Sequence, residues 1–329
     1  MDDRASRQSF IYARSHSEGV GLGGSVRVLF ITKHSKTKFN PGPASTVFIM
    51  GSLAHNMSLG EIDVNSPNLR LHLQGFITLL MVSGGVQKVL ERKDANILAI
   101  IYVIVSCTTM NTTSPSTDMI NGEFSFTNQD IYTCYASTLH PSFPCPTQLF
   151  LCIRDVNRLR RQIASGDYSA GLMQAAIHAV FENIAAFRPD QWLERYEMPR
   201  ASFRATLARI YQVAVALYAK LTLASHASIE YKADDQVAEA RHLIHLIVSA
   251  KDSMPPKPMC WPLIVAGAAL APARYSDKAA VEERLHEVGS RSDAGDGALA
   301  ALTCLRAFWV SGKTSWDDCF TKPIFPLAE

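Results

Sequence analysis

The chain has no regularly spaced cysteines. Its seven cysteines include no C-x-x-C pair, and the first 106 residues contain none. Structural zinc sites and secreted disulfide scaffolds both need closely and regularly spaced cysteines. The spacing therefore predicts reduced thiols in an intracellular protein and no zinc cofactor. The cysteines are Cys107, Cys134, Cys145, Cys152, Cys260, Cys304 and Cys319.

The chain also lacks an excess of charge of either sign. It carries 32 basic and 30 acidic residues, for a formal net charge of +2, and 47% of its 329 residues are hydrophobic. This balance excludes the overall basic footprint of a nucleic-acid-binding domain. The hydrophobic fraction is typical of a folded globular protein.

Long apolar segments are missing as well. In the first half of the chain the longest apolar run is residues 97–107, about half of the ~20 residues that a bilayer requires. The first 17 residues are polar and carry Asp2, Asp3 and Arg4, unlike the apolar core of a signal peptide. We therefore expect a soluble protein that does not associate with membranes.

Catalytic motifs are absent or incomplete. The chain contains neither G-x-S-x-G nor H-E-x-x-H. Residues 19–24 fit G-x-G-x-x-G, but a dinucleotide site needs a strand before the glycines and a helix after them, and here a strand-like run follows. Residues 311–314 resemble the end of a phosphate loop, but Ala307 occupies the position of its first glycine. The sequence nominates no catalytic, cofactor-binding or metal residue, and we predict that the protein is not an enzyme.

A pair of histidines, His242 and His245, shares one helix face with Glu239. A metal site would need a third ligand and a supporting shell, which the neighbouring sequence does not offer. We interpret this face as solvated.

A basic cluster is formed by Arg154, Arg158, Arg160 and Arg161. Such a cluster is commonly a solvated helix face. Contact with a phosphate or an acidic partner, or a nuclear-import signal, is the alternative interpretation.

An uncharged stretch over residues 259–270 follows a proline-rich hinge. Trp261 is expected just outside a helix, with Pro262 at its first position, where proline costs no hydrogen bond. A helix that is apolar all round is buried on all sides, so the other helices are expected to pack around this one. Gly267 should allow a neighbouring helix to come close.

Apolar periodicity predicts helices along most of the remaining chain. The clearest is 202–223, while Ser276 and Gly289 are expected to cap and stop the helix between them. Residues 26–32 could form a short strand. The other predicted helices are 46–57, 68–83, 86–92, 96–108, 147–164, 170–187, 189–196, 234–250, 276–288 and 297–309.

The predicted fold class is all-α, a large bundle of about nine to twelve helices with a disordered or irregular N-terminus. We expect a poorly ordered segment over residues 1–43 and an all-helical domain over 44–329. Residues 109–146, rich in Ser, Thr, Asn and Pro, are expected to form a long irregular loop.

Several stretches, taken in order, resemble fungal-specific transcription factors. Residues 72–86 resemble the family's H-x-x-G-h-x-x-h-h-x-x-R-G-G-h helix, with Ser83 in place of the arginine. Residues 141–144 are similar to its Pro-x-Phe-Pro segment. Its C-terminal W-P-L-F-I-A-G…E-R…W…W signature is matched by residues 259–270, Glu283, Arg284, Trp309 and Trp316.

The resemblance implies an all-helical regulatory region and a nuclear regulator of transcription, acting on a metabolic or secondary-metabolite gene set. The family's zinc cluster, C-x₂-C-x₆-C twice, does not occur in this sequence. We therefore expect DNA contact to be indirect or weak at most, through homo- or hetero-oligomers with related regulators, and we expect a small-molecule effector. A helical interaction module without a DNA role, such as a dominant-negative partner, is the alternative. An all-α enzyme with a polar site around His140 is a less favoured one.

Overall fold

The fold was analysed in a computed structural model of the chain. The structure describes residues 10–13, 28–31, 67–92, 97–135, 143–166, 168–195, 203–252, 254–290 and 296–326. The chain divides into two units, Met1–Val103 and Ile104–Glu329. The predicted boundary between residues 43 and 44, the helix predicted over 46–57 and most of the segment predicted to be poorly ordered lie outside the described residues.

The first unit contains a two-stranded antiparallel sheet and helices. Strand β1 (Phe10–Ala13) pairs with β2 (Val28–Ile31). The strand expected over 26–32 is thus present, with a pairing partner that the sequence did not reveal. Helices α1 (Pro67–Val82) and α2 (Gly85–Leu90) follow, and α3 (Ile97–Thr112) begins here and ends in the second unit.

The turn between α1 and α2 depends on two glycines. Gly84 and Gly85 have φ angles of 96° and 86°, in the left-handed region that glycine adopts without a steric penalty. A Cβ atom at Gly84 would also lie 2.5 Å from the Lys88 side chain. The predicted glycine stop of the helix over 68–83 is confirmed.

The second unit is built from helices. Short 3₁₀ helices at Ser116–Asp118, Asn121–Ser125, Ala224–Ala227 and Lys257–Met259 connect them. The α-helices are α4 (Asn128–Tyr135), α5 (Thr147–Ser165), α6 (Ala170–Ala186), α7 (Pro189–Arg195), α8 (Phe203–Leu223), α9 (Ala233–Ser249), α10 (Cys260–Ala269), α11 (Tyr275–Ser290), α12 (Asp296–Ser311) and α13 (Trp316–Cys319).

The predicted all-α class is confirmed, with β1 and β2 as its small exception. The described residues form thirteen α-helices, slightly more than the predicted nine to twelve, because α4 was missed and α13 has only four residues.

Helix α10 lies at the centre of the second unit. All ten of its residues are buried, and it packs against α8, α9, α11 and α12. Its uncharged sequence explains this position, because no face needs contact with water. Trp261 was expected outside the helix, and this is wrong: the helix begins at Cys260. Pro262 is tolerated at the third position because the first four backbone N–H groups of a helix have no helical partner anyway.

Helix α8 is the longest, and it packs against α5, α6, α9 and α10. Together with the following turn, residues 203–227 are long and apolar enough to cross a membrane by length and composition alone. More than half of its most apolar window is buried inside the protein, as in a core helix.

Two boundaries of α11 differ from the prediction. Ser276 lies inside the helix, which begins at Tyr275, and the helix continues through Gly289 to Ser290. Gly289 is buried and lacks a positive φ angle, so it is not a left-handed helix stop.

The largest error concerns residues 109–146. Helix α3 extends to Thr112, and the following residues form two 3₁₀ helices and α4. The polar composition suggested a loop because hydroxyl and amide side chains compete with helical hydrogen bonds. Here the hydroxyl and amide side chains of residues 109–114 are buried and hydrogen-bonded, and residues 109–135 are largely regular.

Candidate functional site

A buried polar network surrounds the C-terminal half of α3. Within residues 106–114 of this region, every Ser, Thr and Asn side chain is at most 1% exposed. The hydroxyl of Thr109 donates to the carbonyl oxygen of Val105 at 2.8 Å, and that of Ser114 donates to Met110 at 2.7 Å. These local bonds offset the desolvation of the Thr109 and Ser114 hydroxyls, whereas the buried hydroxyl of Ser106 has no hydrogen-bond partner in the described part of the chain.

Glu123 is the buried acid of this network. Its carboxylate accepts hydrogen bonds from the side-chain amides of Asn111 and Asn157, and Arg154 lies 3.9 Å away. Burial raises the pKa of Glu123, and it outweighs the lowering by the Arg154 charge and by the amide hydrogen bonds. Asn111 also receives the backbone N–H of Ile120 at 2.6 Å, which ties the 3₁₀ segment to α3.

Arg154, on α5, is buried and holds the start of α4. Its guanidinium donates to the carbonyl oxygens of Phe126 at 2.7 Å and Glu123 at 3.2 Å, and to the side chain of Asn128 at 3.3 Å. It therefore has a structural role that neither interpretation of the basic cluster anticipated.

Arg160, two turns further along α5, is also buried. It donates to the Tyr218 hydroxyl at 2.7 Å, the Ser114 carbonyl at 2.9 Å and the Asp317 carboxylate at 2.5 Å. Burial raises the pKa of Asp317, but the Arg160 charge and hydrogen bonds from Ser116 and Arg160 outweigh it, so the net shift is downward. The Tyr218 hydroxyl in turn donates a hydrogen bond to Asn157 Oδ1 at 2.7 Å, so the two halves of the network are continuous.

Only part of the basic cluster is on the surface. Arg158 is exposed and pairs with Asp155 at 2.7 Å, and the guanidinium of Arg161 lies 4.9 Å from the centre of the Phe124 ring. Arg154 and Arg160 are buried, so a single solvated or phosphate-binding face of four arginines does not exist.

An aromatic cluster closes the network on the side of α10. Trp261 lies 5.7 Å from the Phe143 ring and 5.9 Å from the Tyr218 ring, both edge to face. Its indole N–H donates to the Thr112 hydroxyl at 2.8 Å, and the indole N–H of Trp316 donates to the Thr112 carbonyl at 2.7 Å. Trp261 and Trp316, two tryptophans of the C-terminal motif, therefore both donate hydrogen bonds to Thr112.

The chain near Ile324 completes the enclosure. The backbone N–H of Ile324 donates to the Thr113 carbonyl at 3.2 Å, and the Thr113 hydroxyl donates to the Ile324 carbonyl at 2.6 Å. The network is thus closed to solvent at this end, which suits a structural role better than a catalytic one.

The other candidate sites have ordinary environments. His242 and His245 are exposed, while Glu239 bonds to Lys220 and to the Tyr231 hydroxyl. No group of three or more His, Cys, Asp and Glu residues could hold a metal ion within the described part of the chain. Gly312 turns the chain after α12 with a φ angle of 70°. His140 and residues 19–24 lie outside the described residues.

The cysteines are free thiols, and six of the seven are buried. Burial raises the pKa of Cys134 to about 11 and that of Cys260 to about 12. Such thiols are protonated at neutral pH and are poor nucleophiles and metal ligands.

One open cavity, of about 410 Å³, lies in the second unit beside this network. It is lined by α4, α5, the C-terminal end of α6 and α7. Its walls combine carboxamide side chains with aromatic rings. The sequence did not suggest this cavity, because α4 was interpreted as loop.

Comparison with known proteins gives two matches. The profile of the fungal-specific transcription factor domain matches residues 31–322. The "phomenoic acid biosynthesis cluster-specific transcriptional regulator" of Leptosphaeria maculans is 28% identical over 294 residues, which cover 85% of this chain and 54% of that protein. The chain thus spans about half the length of this curated relative. No solved structure matches the chain significantly.

Proposed function

Because the chain belongs to the fungal-specific transcription factor domain family, we propose that it regulates the transcription of a biosynthetic gene set in the nucleus. The observation that carries this proposal is the family match over residues 31–322. The gene set is inferred from the relative in Leptosphaeria maculans, whose printed name refers to a biosynthesis cluster.

DNA contact is proposed to come through a partner. This sequence contains no pair of C-x₂-C-x₆-C motifs, which build the zinc cluster in the family that it resembles. The net charge of +2 gives little attraction to the phosphate backbone. A related regulator that carries the zinc cluster would therefore supply the base contacts, while this helical domain supplies regulation.

A regulatory role, without enzymatic activity, agrees with the chemistry of the buried network. Its charged groups are engaged: Arg160 with five acceptor groups, and Glu123 with two amides. A catalytic site needs groups that can reach a substrate, and this network holds helices together.

The test is a transcriptome comparison between a deletion strain and its parent. We expect a coherent set of neighbouring genes to lose expression after deletion. Reintroduction of the normal gene should restore that expression. A matched pair of alleles sharpens the test: Gly171→Ala, at an exposed helical position, should restore expression, and Gly267→Leu, which disrupts the core, should not. Unchanged transcripts in the deletion strain would contradict the proposal.

The partner is tested separately by chromatin precipitation and co-purification of the tagged chain. We expect promoter DNA to be recovered from cells and a regulator with the zinc cluster to co-purify. The purified chain alone should not retain the same promoter DNA. Sequence-specific binding by the chain alone would refute the partner requirement, and recovery of a partner without promoter DNA would favour an interaction module without a DNA role.

A further inference from the structure

The open cavity in the second unit has an apolar floor. Leu151 and Cys152 of α5, Phe187 just after α6 and Trp192 of α7 line it, and each is at most 9% exposed. Burial, and to a lesser extent Asp155, raise the pKa of Cys152 to about 12, so this side chain is a neutral thiol that serves as apolar surface. A ligand would therefore be held there by non-covalent contacts.

The rim of the cavity carries hydrogen-bonding groups. Gln148 of α5, Asn183 of α6 and Gln191 of α7 line the same space, and the exposed Tyr132 of α4 adds a phenol. These four side chains make no side-chain hydrogen bond within the described part of the chain. Carboxamides both donate and accept, so they suit carbonyl and hydroxyl groups of a ligand.

The two charged groups at the rim have different partners. Asp155 pairs with Arg158 at 2.7 Å, and Arg188 donates to the carbonyl oxygens of Ala185 at 2.6 Å and Phe187 at 3.3 Å. Burial raises the pKa of Asp155, against the lowering by Arg158 and Arg154. Arg188 is exposed and has no carboxylate partner in the described part of the chain, so the rim retains one positive charge beside the carboxamides.

The walls are held in place from behind. Gln212 of α8 donates to the carbonyl oxygens of Ile184 at 3.0 Å and Phe187 at 3.1 Å, which fixes the corner between α6 and α7. Arg154, itself buried, bonds to Asn128 at the opposite wall. A cavity that is formed before binding costs a ligand little reorganisation.

We propose that this cavity binds a small molecule that carries carbonyl or hydroxyl groups. A volume of about 410 Å³ falls within the range of ligand pockets, about 300–1,000 Å³. As a regulatory site it rests on the proposed function, because the ligand then controls a transcription regulator. The cavity joins α5, which carries Arg154 and Arg160, to α4, so an occupant contacts the helices that the buried network holds together.

The binding test uses the purified full chain and prodan, a neutral fluorescent ketone. We expect saturable, blue-shifted emission with about one site per chain. Ala186→Trp fills the cavity from an exposed helix position and should weaken binding by at least about tenfold. Ala175→Trp, three turns earlier on the same exposed face of α6, should leave the affinity unchanged.

Two further variants separate the contributions to binding. Gln191→Trp also fills the cavity, so the result does not depend on the folding of one variant. Gln191→Leu keeps the space but removes the amide, and should weaken prodan binding by about two- to tenfold. Thermal unfolding of each variant checks that the fold is retained.

The outcomes distinguish this proposal from the regulatory one. Absence of saturation, or equal prodan affinities for the Ala186→Trp and Ala175→Trp proteins, would overturn the ligand site while the transcriptome test stands. Cavity-dependent binding without any transcript change in the deletion strain would support the ligand site and remove its regulatory role.

Discussion

The Cδ1 atom of Leu305 lies 2.7 Å from the position that a Cβ atom would occupy at Gly267. Cγ1 of Val281 would be 3.2 Å from the same point, so α11 and α12 both approach the backbone of α10. The Gly267 carbonyl also accepts the indole N–H of Trp309 at 2.8 Å. The predicted close approach at Gly267 is therefore confirmed, and its partners are now identified.

Gly267→Leu should destabilise the second unit. Overpacking of a well-packed core typically costs about 1–3 kcal/mol, and the absence of free space here places the expected loss of unfolding free energy at the upper end or beyond. Urea denaturation measures it. Gly171→Ala is the matched control, because no atom lies within 4 Å of its added Cβ and helix propensity favours alanine by up to about 1 kcal/mol. An unchanged midpoint for the leucine variant would refute the packing argument.

Arg160→Met should be far more destabilising than Arg158→Met. The first change leaves the Tyr218 hydroxyl and several buried carbonyl oxygens without their donor, which typically costs about 3–5 kcal/mol. Arg158 is more than half exposed and, among the described residues, pairs only with Asp155, so its loss should cost at most about 1 kcal/mol. Chemical denaturation of both variants gives the comparison. Equal losses would mean that the buried network contributes little.

Glu123→Gln should change how stability depends on pH. Because the folded pKa of Glu123 is raised, the folded protein binds this proton more tightly than the unfolded chain does. Its contribution therefore falls as the pH rises from about 4.3, the usual value for glutamate, through the folded pKa. The slope from this one group is at most ~1.4 kcal/mol per pH unit.

The Glu123→Gln variant lacks the pH dependence of the unfolding free energy that Glu123 contributes. The difference in unfolding free energy, variant minus parent, should increase from acidic toward neutral pH and then become constant. Denaturation curves at several pH values measure it, with Asp155→Asn as a second raised carboxyl outside the network. Parallel stability curves for the parent and the Glu123→Gln protein would contradict the shift.

The hydrogen bond between Trp261 and Thr112 can be measured by a double-mutant cycle. Trp261→Phe and Thr112→Val each remove one partner of the 2.8 Å bond, and a coupling of about 1 kcal/mol is expected between them. Thr303→Val, at an exposed position on α12, is the control partner and should be additive with Trp261→Phe within about 0.5 kcal/mol. Additivity for the Thr112 pair would show that the bond contributes nothing net.

Periodicity located most helices to within a few residues, because an apolar stripe depends only on local order. On α5, the apolar stripe also predicts which arginine of the basic cluster faces the core, and the interpretation of the cluster did not use this. Leu149, Ile153 and Val156 are followed by Arg160 at the next position of the four–three spacing, so the pattern itself placed Arg160 toward the core. Composition favoured a surface arginine, and burial was possible only because five acceptors converge on it.

The region from Thr109 to Tyr135 could not be assigned in the same way. Some of its buried polar groups bond to residues far along the chain: Thr112 accepts hydrogen bonds from Trp261 and Trp316, and the Thr113 hydroxyl donates to the carbonyl oxygen of Ile324. The local sequence pattern does not predict hydrogen bonds to residues so distant along the chain. The cavity was missed for the same reason, because one of its walls is formed by α4, which the sequence analysis had assigned to a loop.

The pair of hydrogen bonds between Thr113 and Ile324 joins positions that are 211 residues apart. During synthesis on the ribosome, Thr112 and Arg160 emerge long before Trp316 and Asp317, their partners in the finished core. The second unit must therefore wait, with polar groups unsatisfied and apolar surface exposed, until the residues near 324 are made. A frameshift or stop codon upstream of Trp316 would release a chain that quality-control proteases recognise, however much of the helical sequence it retains.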